Sequence, residues 1–127
     1  MNQKPLRKLL ITDNDDDTLK ILKYCLQTLK DIEIKYVTSG EETVKEALLW
    51  KPDLILLDVV MPKMDGITTM RVLRLLPSTA HIAVIFLTSR IEPTEIENYF
   101  KEGVLDVIIK PFDPLALASN IQVIWNR

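Results

Sequence analysis

The sequence predicts an α/β fold, a three-layer α/β/α sandwich in which helices cover both faces of a five-stranded parallel sheet. Apolar runs of strand length alternate with longer segments whose apolar residues recur every three or four positions, and no internal repeat or linker interrupts them. Helical crossovers of this length join parallel strands with right-handed geometry. The chain has 127 residues, the usual size of one domain, so residues 1–127 are expected to form a single unit without a built-in output module.

Five short apolar runs are the predicted strands. Most of them lack the alternation of apolar and polar residues that marks a strand with one face in water, so they are expected to be buried on both faces. The second run alternates and is the weakest of the set. In chain order the runs are 9–11, 32–37, 54–57, 82–87 and 105–109.

Five helices are predicted between and after these strands. Their apolar residues share one helical face, which we expect to be directed at the sheet. Helix by helix, the predicted inward-facing residues are Ile21, Leu22, Cys25, Leu26 and Leu29; Val44, Ala47 and Leu48; Ile67, Met70 and Leu73; Ile96, Tyr99 and Phe100; and Leu117, Ile121 and Trp125.

Capping residues predict where several helices begin and end. Short polar side chains and proline favour the first turn of a helix, and glycine favours the residue after its end. The predicted caps are Asp16 and Asp17 for the first helix, the capping box Ser39 and Glu42 for the second, Pro93 and Gly103 at the two ends of the fourth, and Asp113 with Pro114 for the fifth.

Composition excludes several classes of protein. Lysine and arginine number 16 against 18 acidic residues, a net charge of -2, so the basic surplus typical of nucleic-acid binding is missing. No apolar run reaches the ~18 residues of a membrane span, so we expect no membrane association. With one cysteine, Cys25, neither an internal disulfide nor a zinc knuckle can form, and we expect a cytoplasmic protein with this side chain in the core.

Polar side chains follow the predicted strands. Ligands of parallel α/β sheets bind outside the carboxyl ends of the strands. Carboxylate oxygens are the ligands that Mg²⁺ prefers, and hydroxyl and ammonium groups donate to phosphoryl oxygens. The strand ends therefore predict a cation and phosphoryl site. Four carboxylates within residues 13–17 follow the first strand, Asp58 follows the third, Thr88 and Ser89 follow the fourth, and Lys110 follows the fifth.

Each of these residues also has a simpler structural interpretation. Asp58 could cap a turn, Thr88 could be an ordinary strand residue, and Lys110 could be a solvated strand end. A buried Asp58 would cost free energy without a cation or a donor beside it, which favours the functional interpretation. We assign no role to His81. The motifs GxxxxGK[ST], GxGxxG, GxSxG and HExxH do not occur, so P-loop, dinucleotide, serine-hydrolase and zinc-protease chemistry lack their parts.

Four stretches of the sequence resemble a known family. KLLITDNDDDTLKILKYCL, PDLILLDVVMPKMDG, IAVIFLTS and DVIIKPFDP are similar, in order and spacing, to the response-regulator receiver domains of two-component phosphorelays, including the chemotaxis regulators. The resemblance covers essentially the whole chain. It implies the flavodoxin-like strand order 2-1-3-4-5 and a domain that catalyses only its own phosphorylation and dephosphorylation.

The resemblance implies a role for each residue of the phosphoryl site. Asp58 is the phosphoacceptor, which takes its phosphoryl group from a phosphohistidine on a histidine kinase or a histidine phosphotransfer protein. Thr88 and Lys110 each contact a phosphoryl oxygen. The Lys110–Pro111 peptide bond is expected to be cis, and Gly66 is expected to permit the turn into the third helix.

The resemblance also implies a Mg²⁺ site that departs from the family pattern. Asp13, Asp58 and the backbone carbonyl of Val60 are the expected ligands, and the family's second acidic ligand is replaced by Asn14. An amide oxygen brings no negative charge, so Mg²⁺ binding is expected to be weakened. Asp15 remains a weaker candidate to supply the missing charge.

Further departures concern switching and the lifetime of the phosphoryl group. Val107 stands where the family commonly has a tyrosine or phenylalanine that turns inward on activation, so any switch must depend on Thr88 and the loop after it. Val60 and Arg90 occupy positions that tune water attack on the acyl phosphate. Because valine cannot position water, we expect slow self-dephosphorylation.

The expected output is binding of a downstream protein target through the fourth helix, fifth strand and fifth helix, without direct nucleic-acid binding. The chain is expected to be a monomer or a weak homodimer through that surface, and either a stand-alone regulator or a receiver excised from a longer protein. One alternative is a pseudo-receiver, an interaction module that works without phosphorylation. Another is a flavodoxin-like electron carrier. The clustered aspartates after the first strand disfavour this alternative, because they would repel a cofactor phosphate.

Overall fold

The computed structural model describes residues 4–127, in which five strands and five helices alternate. The strand order is 2-1-3-4-5, every neighbouring pair is parallel, and the predicted fold is confirmed. Within the described range no helix combines the length and apolar character needed to cross a bilayer. The elements are β1 (Lys8–Thr12), α1 (Asp16–Leu26), β2 (Glu33–Val37), α2 (Gly40–Trp50), β3 (Leu54–Asp58), α3 (Gly66–Leu75), β4 (Ala83–Thr88), α4 (Pro93–Lys101), β5 (Asp106–Ile109) and α5 (Leu117–Trp125).

Two hydrophobic clusters pack against opposite faces of the sheet. Strand β3 contributes to both, because successive side chains of a strand point to opposite faces. Leu54 and Leu56 pack with residues of α1 and α5, whereas Ile55 and Leu57 pack with residues of α2, α3 and α4. All five residues of β3 are buried, as its continuous apolar sequence predicted. Cys25 lies in the first cluster, 8% exposed, in agreement with its predicted core position.

The predicted start of α2 and both predicted ends of α4 are confirmed. At the start of α2 the Ser39 hydroxyl oxygen accepts from the Glu42 amide at 3.1 Å and the same hydroxyl donates to the Glu42 carboxylate at 3.3 Å. Pro93 is the first residue of α4. Gly103, which follows this helix, has a φ of 95°, a left-handed conformation that disfavours other residues.

Two helix starts differ from the prediction. The N-cap of α1 is Asp15, whose side chain accepts from the Asp17 amide, while Asp16 already lies in the first turn. Helix α5 begins at Leu117 rather than at Asp113 and Pro114. The Asp113 carboxylate accepts from the Leu115 amide at 2.9 Å, so it caps a turn that precedes the helix.

Three residues predicted to face the sheet are exposed. Each is adjacent in sequence to a buried residue of the same helix, Leu22, Ala47 or Tyr99, and lies about 100° further round the helix. The apolar stripe is therefore narrower than the sequence pattern suggested. Leu29 lies beyond the end of α1 and is only partly buried. The exposed residues are Ile21 at 50%, Leu48 at 39% and Phe100 at 47%.

Candidate functional site

The carboxyl ends of four neighbouring strands bring the predicted site residues to one edge of the sheet. Asp13 follows β1, Asp58 ends β3, Thr88 ends β4 and Lys110 follows β5. The register of the sheet aligns these ends, because Asp58 pairs with Leu87, the residue before Thr88. One of the four side chains, Lys110, contacts two of the others.

The Lys110 ammonium contacts both buried carboxylates. Its Nζ lies 2.8 Å from Asp13 Oδ2 and 3.4 Å from Asp58 Oδ1. Asp13 is completely buried and Asp58 is 3% exposed. A buried carboxylate is costly without a partner, and Lys110 is the partner of both.

Asp58 also has the local contact that a turn-capping role would need. The Val60 amide donates to Asp58 Oδ1 at 3.3 Å. A turn does not require the ammonium of Lys110, which comes from a different strand end. The structure therefore contains the capping contact and, in addition, an ion pair that a turn does not need.

The pKa values of this cluster show the effect of burial and of like charge. Burial, followed by the charge of Asp13, raises the pKa of Asp58 to about 6, although Lys110 acts in the opposite direction. Burial by itself would lower the pKa of Lys110. Its hydrogen bond to Asp13 and the charge of Asp58 outweigh that effect, so the pKa of Lys110 is raised. Two carboxylates and one ammonium leave one uncompensated negative charge at the site, which favours a bound cation.

The loop after β3 is held against Asp58 by Gly66. A Cβ atom at this position would lie 2.5 Å from the Asp58 carbonyl oxygen and 2.8 Å from the Val59 Cα. The Gly66 amide donates to the Val59 carbonyl at 2.8 Å. Glycine is needed here for the close approach of two backbone segments, and not for a left-handed conformation. The Lys110–Pro111 peptide bond is cis, as expected.

Thr88 lies at the site without touching the acidic cluster. Its side chain is buried, and Thr88 Oγ1 accepts a hydrogen bond from the Arg90 amide at 3.0 Å. The backbone places it beside Lys110, whose amide donates to the Thr88 carbonyl at 2.9 Å. Its hydroxyl is thus joined to the loop after β4 and not to Asp58.

The residues after Asp13 form a limited set of cation ligands. Asn14 is exposed, and the Asp15 amide donates to Asp13 Oδ1 at 2.9 Å. The Asp15 carboxylate accepts from the Thr18 hydroxyl at 2.6 Å, and this hydrogen bond is the main reason that the pKa of Asp15 is lowered. The Asp15 carboxylate is therefore engaged as the N-cap of α1.

The chemistry of the remaining oxygens still fits a hard divalent cation. Asp13 and Asp58 supply two carboxylates, and Asn14 and the Val60 carbonyl can add neutral oxygens. In residues 4–127 there is no group of three or more histidine, cysteine, aspartate or glutamate side chains placed to hold a metal ion. These residues fit Mg²⁺, but they offer two carboxylates where an acidic residue in place of Asn14 would make three.

Sequence reasoning missed one contact of the site. Tyr99, predicted only as an inward-facing residue of α4, donates its hydroxyl to the Arg90 carbonyl at 3.4 Å. Periodicity predicted the burial of the ring, but it carries no information about the partner of the hydroxyl. His81 is exposed in the segment before β4, as its sequence position predicted.

Comparison with known proteins identifies the family. The family model described as "Response regulator receiver domain" matches residues 9–122. The chain belongs to this family. A solved structure of a putative response regulator from Chloroflexus aurantiacus superposes on the receiver domain with a TM-score of 0.84 at 31% identity, covering 98% of this chain and 100% of that one. The chemotaxis protein CheY4 of Vibrio cholerae, at 23% identity, shares the fold with a TM-score of 0.84 over 94% of this chain and 99% of its own.

Sequence relatives carry receiver domains in longer proteins. The receiver domain is 31% identical over 121 residues to the alkaline phosphatase synthesis transcriptional regulatory protein PhoP of Bacillus subtilis, covering 95% of this chain and 49% of that protein. It is 33% identical over 109 residues to protein-glutamate methylesterase/protein-glutamine glutaminase 3 of Geobacter sulfurreducens, covering 84% of this chain and 29% of that protein. The chain thus spans half or less of the length of these relatives.

Proposed function

We propose that this receiver domain accepts a phosphoryl group on Asp58 from a phosphohistidine of a histidine kinase or a histidine phosphotransfer protein, in the presence of Mg²⁺. The observation that supports this most directly is the buried Asp58 carboxylate, which ends a strand and lies 3.4 Å from the Lys110 ammonium. Membership of the receiver family supports the same role.

In the proposed step an oxygen of Asp58 attacks phosphorus and the bond between phosphorus and the imidazole nitrogen breaks. The electron pair of that bond stays on the imidazole nitrogen, and the product on the receiver is an acyl phosphate. Within the described range, Asp58 Oδ1 accepts from the Val60 amide and pairs with the Lys110 ammonium, so Oδ2 is the oxygen left for attack. Lys110 and Thr88 then donate to phosphoryl oxygens, since transfer between anions depends on charge neutralisation and positioning.

Asp13, Asp58 and the Val60 carbonyl would hold Mg²⁺, with Asn14 as a weak fourth ligand. When bound, the ion supplies positive charge against the phosphoryl oxygens and the two carboxylates. Asp13 already accepts from Lys110 at 2.8 Å, so a bound ion and the ammonium would share this carboxylate. Because Asn14 adds no charge, phosphorylation should require a high Mg²⁺ concentration or a well-matched donor.

The proposed output is the binding of a downstream protein target by α4, β5 and α5 in the cytoplasm, by a monomer or a weak homodimer. This face carries exposed apolar side chains, which suit a protein partner. The net charge of -2 supports a protein rather than a nucleic acid as the direct partner of this domain. We propose no enzymatic activity beyond self-phosphorylation and self-dephosphorylation. The exposed apolar residues of the proposed partner-binding surface are Phe100, Leu105, Ile109 and Val123.

Acetyl phosphate with Mg²⁺, followed by intact-mass spectrometry, tests the proposal. The wild-type chain should gain about 80 Da, the mass of one phosphoryl group, and Asp58→Asn should not. Asp65→Asn is a matched control, because Asp65 lies in the same loop and caps α3 through its side chain, a role that asparagine fulfils equally well. This control variant should be phosphorylated like the wild type.

The same experiment decides against the proposal if the wild-type chain gains no mass even at high Mg²⁺ concentration. That outcome would favour the pseudo-receiver alternative, in which the domain binds partners without phosphorylation. A gain that persists in Asp58→Asn would instead assign the phosphoryl group to another residue.

A further inference from the structure

Tyr99 is the one buried side chain that α4 contributes to the described structure, with 2% of its surface exposed. Its ring meets the Phe86 ring of β4 edge to face, with centroids 5.4 Å apart and planes at 89°. The N-cap of α4, Glu92, makes no side-chain hydrogen bond to the helix. Tyr99 is therefore the principal anchor of this helix on the sheet.

The backbone of Arg90 links Tyr99 to the phosphoryl site. The Arg90 amide donates to Thr88 Oγ1 at 3.0 Å, and the Arg90 carbonyl accepts from the Tyr99 hydroxyl at 3.4 Å. A threonine hydroxyl that accepts from an amide keeps its own proton for a second partner. The Arg90 amide thus leaves the Thr88 proton available to a phosphoryl oxygen.

The two hydrogen bonds of Arg90 differ in length. The bond to Thr88 has an ordinary length, whereas 3.4 Å is long for a bond between two oxygens, which is usually about 2.8 Å. A cavity of about 350 Å³ lies beside this link, lined by Val60, Arg90 and Tyr99 among others. The loop therefore has space to move, and the bond to Tyr99 can shorten.

The position of this aromatic ring differs from the arrangement that the resemblance implied. Val107 of β5 pairs with Phe86 and packs with Tyr99 in the same hydrophobic cluster. Valine offers no ring or hydroxyl at that place. On this face of the sheet, the aromatic hydroxyl next to the site loop comes from α4 instead.

We propose that Tyr99 is a positioning residue for Thr88, acting through the two hydrogen bonds of the Arg90 backbone. The Tyr99 hydroxyl holds the Arg90 carbonyl, and thereby the amide that orients the Thr88 hydroxyl. When Thr88 donates to a phosphoryl oxygen on Asp58, the same link transmits the displacement to α4. This inference rests on the proposed phosphorylation of Asp58 and names the residue that couples that site to the output surface.

Tyr99→Phe tests the inference, because it removes one oxygen and retains the buried ring. We expect acetyl phosphate to phosphorylate this variant about threefold more slowly than the wild type, since one weak hydrogen bond is lost. Phosphorylation of the wild type should change amide hydrogen exchange across residues 89–101, and in Tyr99→Phe that change should fall to about a third. Tyr24→Phe is the matched control, because Tyr24 is a 70% exposed tyrosine of α1, and it should behave as the wild type.

Thr88→Val separates positioning from a purely structural role. If Tyr99 acts through Thr88, adding Tyr99→Phe to Thr88→Val should not slow phosphorylation further. The inference is overturned if Tyr99→Phe slows the reaction by the same factor in both backgrounds, or if its exchange response equals that of the wild type. A wild-type chain that acquires no phosphoryl group overturns the proposed function together with this inference, whereas a phosphorylated wild type with an unaffected Tyr99→Phe overturns the inference alone.

Discussion

The site consists of two halves that are built from different interactions. The acidic half, Asp13, Asp58 and Lys110, contains two buried carboxylates and a partly buried ammonium, with Lys110 Nζ 2.8 Å and 3.4 Å from the two carboxylates. The hydroxyl half, Thr88, the Arg90 backbone and Tyr99, contains neutral hydrogen bonds of 3.0 Å and 3.4 Å. Buried charges tolerate little displacement, while neutral hydrogen bonds at a loop can lengthen or shorten at small cost. The acidic half suits chemistry, and the hydroxyl half suits signalling.

The helices beside the two halves differ in the same way. Helix α1, next to the acidic half, has four buried residues and a side-chain N-cap, Asp15. Helix α4, next to the hydroxyl half, has one buried residue and no side-chain cap. Local stability follows buried apolar contacts and satisfied helix ends, so α4 should open more readily than α1. Under the proposed phosphorylation of Asp58, a displacement that begins at Thr88 would therefore reach the helix that should open more readily.

Lys110→Met should have the largest effect. It removes the ammonium from the acidic half and leaves Asp13 and Asp58 facing each other without a cation. We expect the rate of phosphorylation by acetyl phosphate to fall about 100-fold, as for loss of one donor to a developing anion, together with a lower denaturation midpoint. Lys101→Met is the control, because Lys101 forms an exposed ion pair with Glu97, and it should change neither quantity. Equal effects of the two substitutions would contradict a special role for Lys110.

Asn14→Asp should strengthen cation binding by the acidic half, because it adds the second carboxylate of the family pattern. Added ligand charge strengthens binding of a hard cation, and we expect Mg²⁺ affinity in a calorimetric titration to rise about tenfold. Asp15→Asn is the paired variant, since asparagine caps a helix as well as aspartate and α1 should remain intact. If Asp15→Asn lowers Mg²⁺ affinity, Asp15 compensates for Asn14 and the assignment of Asp15 to capping alone is wrong.

Val60 lies between the acidic half and the hydroxyl half of the site. Its amide donates to Asp58, and Val60 also lines the cavity beside Arg90. Its side chain is 46% exposed and apolar, so we expect the wild-type acyl phosphate to persist well beyond seconds in Mg²⁺. Val60→Asn could hold a water molecule by one hydrogen bond of about 1 kcal/mol, which corresponds to roughly fivefold faster decay. Phosphate release after removal of the donor measures both rates. Wild-type decay within seconds would refute the role given to Val60.

The smallest expected effect is on the pH dependence of stability. The pKa of Asp58 is raised from 3.8 to about 6, chiefly by burial and next by the charge of Asp13. The stabilisation from this group is complete below the unfolded-state pKa of 3.8 and is lost as the pH rises through about 6. In metal-free buffer, the free energy of unfolding should therefore fall with rising pH, between about pH 4 and pH 6, more for the wild type than for Asp58→Asn. Parallel curves for the two proteins would argue against a raised pKa.

Much of the fold and part of the site could be predicted from the sequence. The apolar runs identified all five strands, and the capping box at Ser39 located the start of α2. Predictions failed at the edge of a helical face and at one helix start, where the sequence allows two positions for the buried or capping residue. Leu22 is buried and Ile21 is exposed, although both are apolar and lie within one turn of the helix. Asp113 caps a turn instead of α5, because aspartate suits both tasks and its sequence neighbours do not distinguish them.

The parallel sheet and the edge at which polar residues collect could be inferred from the amino-acid sequence, because both follow from the periodicity of apolar residues and from the rule that parallel strands end together. Tertiary packing decided that Lys110 contacts Asp13, a residue 97 positions away, as well as Asp58. It also decided that the Tyr99 hydroxyl meets the carbonyl of Arg90. Such contacts depend on strand register, helix rotation and the course of a loop, which are set by packing across the whole domain and not by any local pattern.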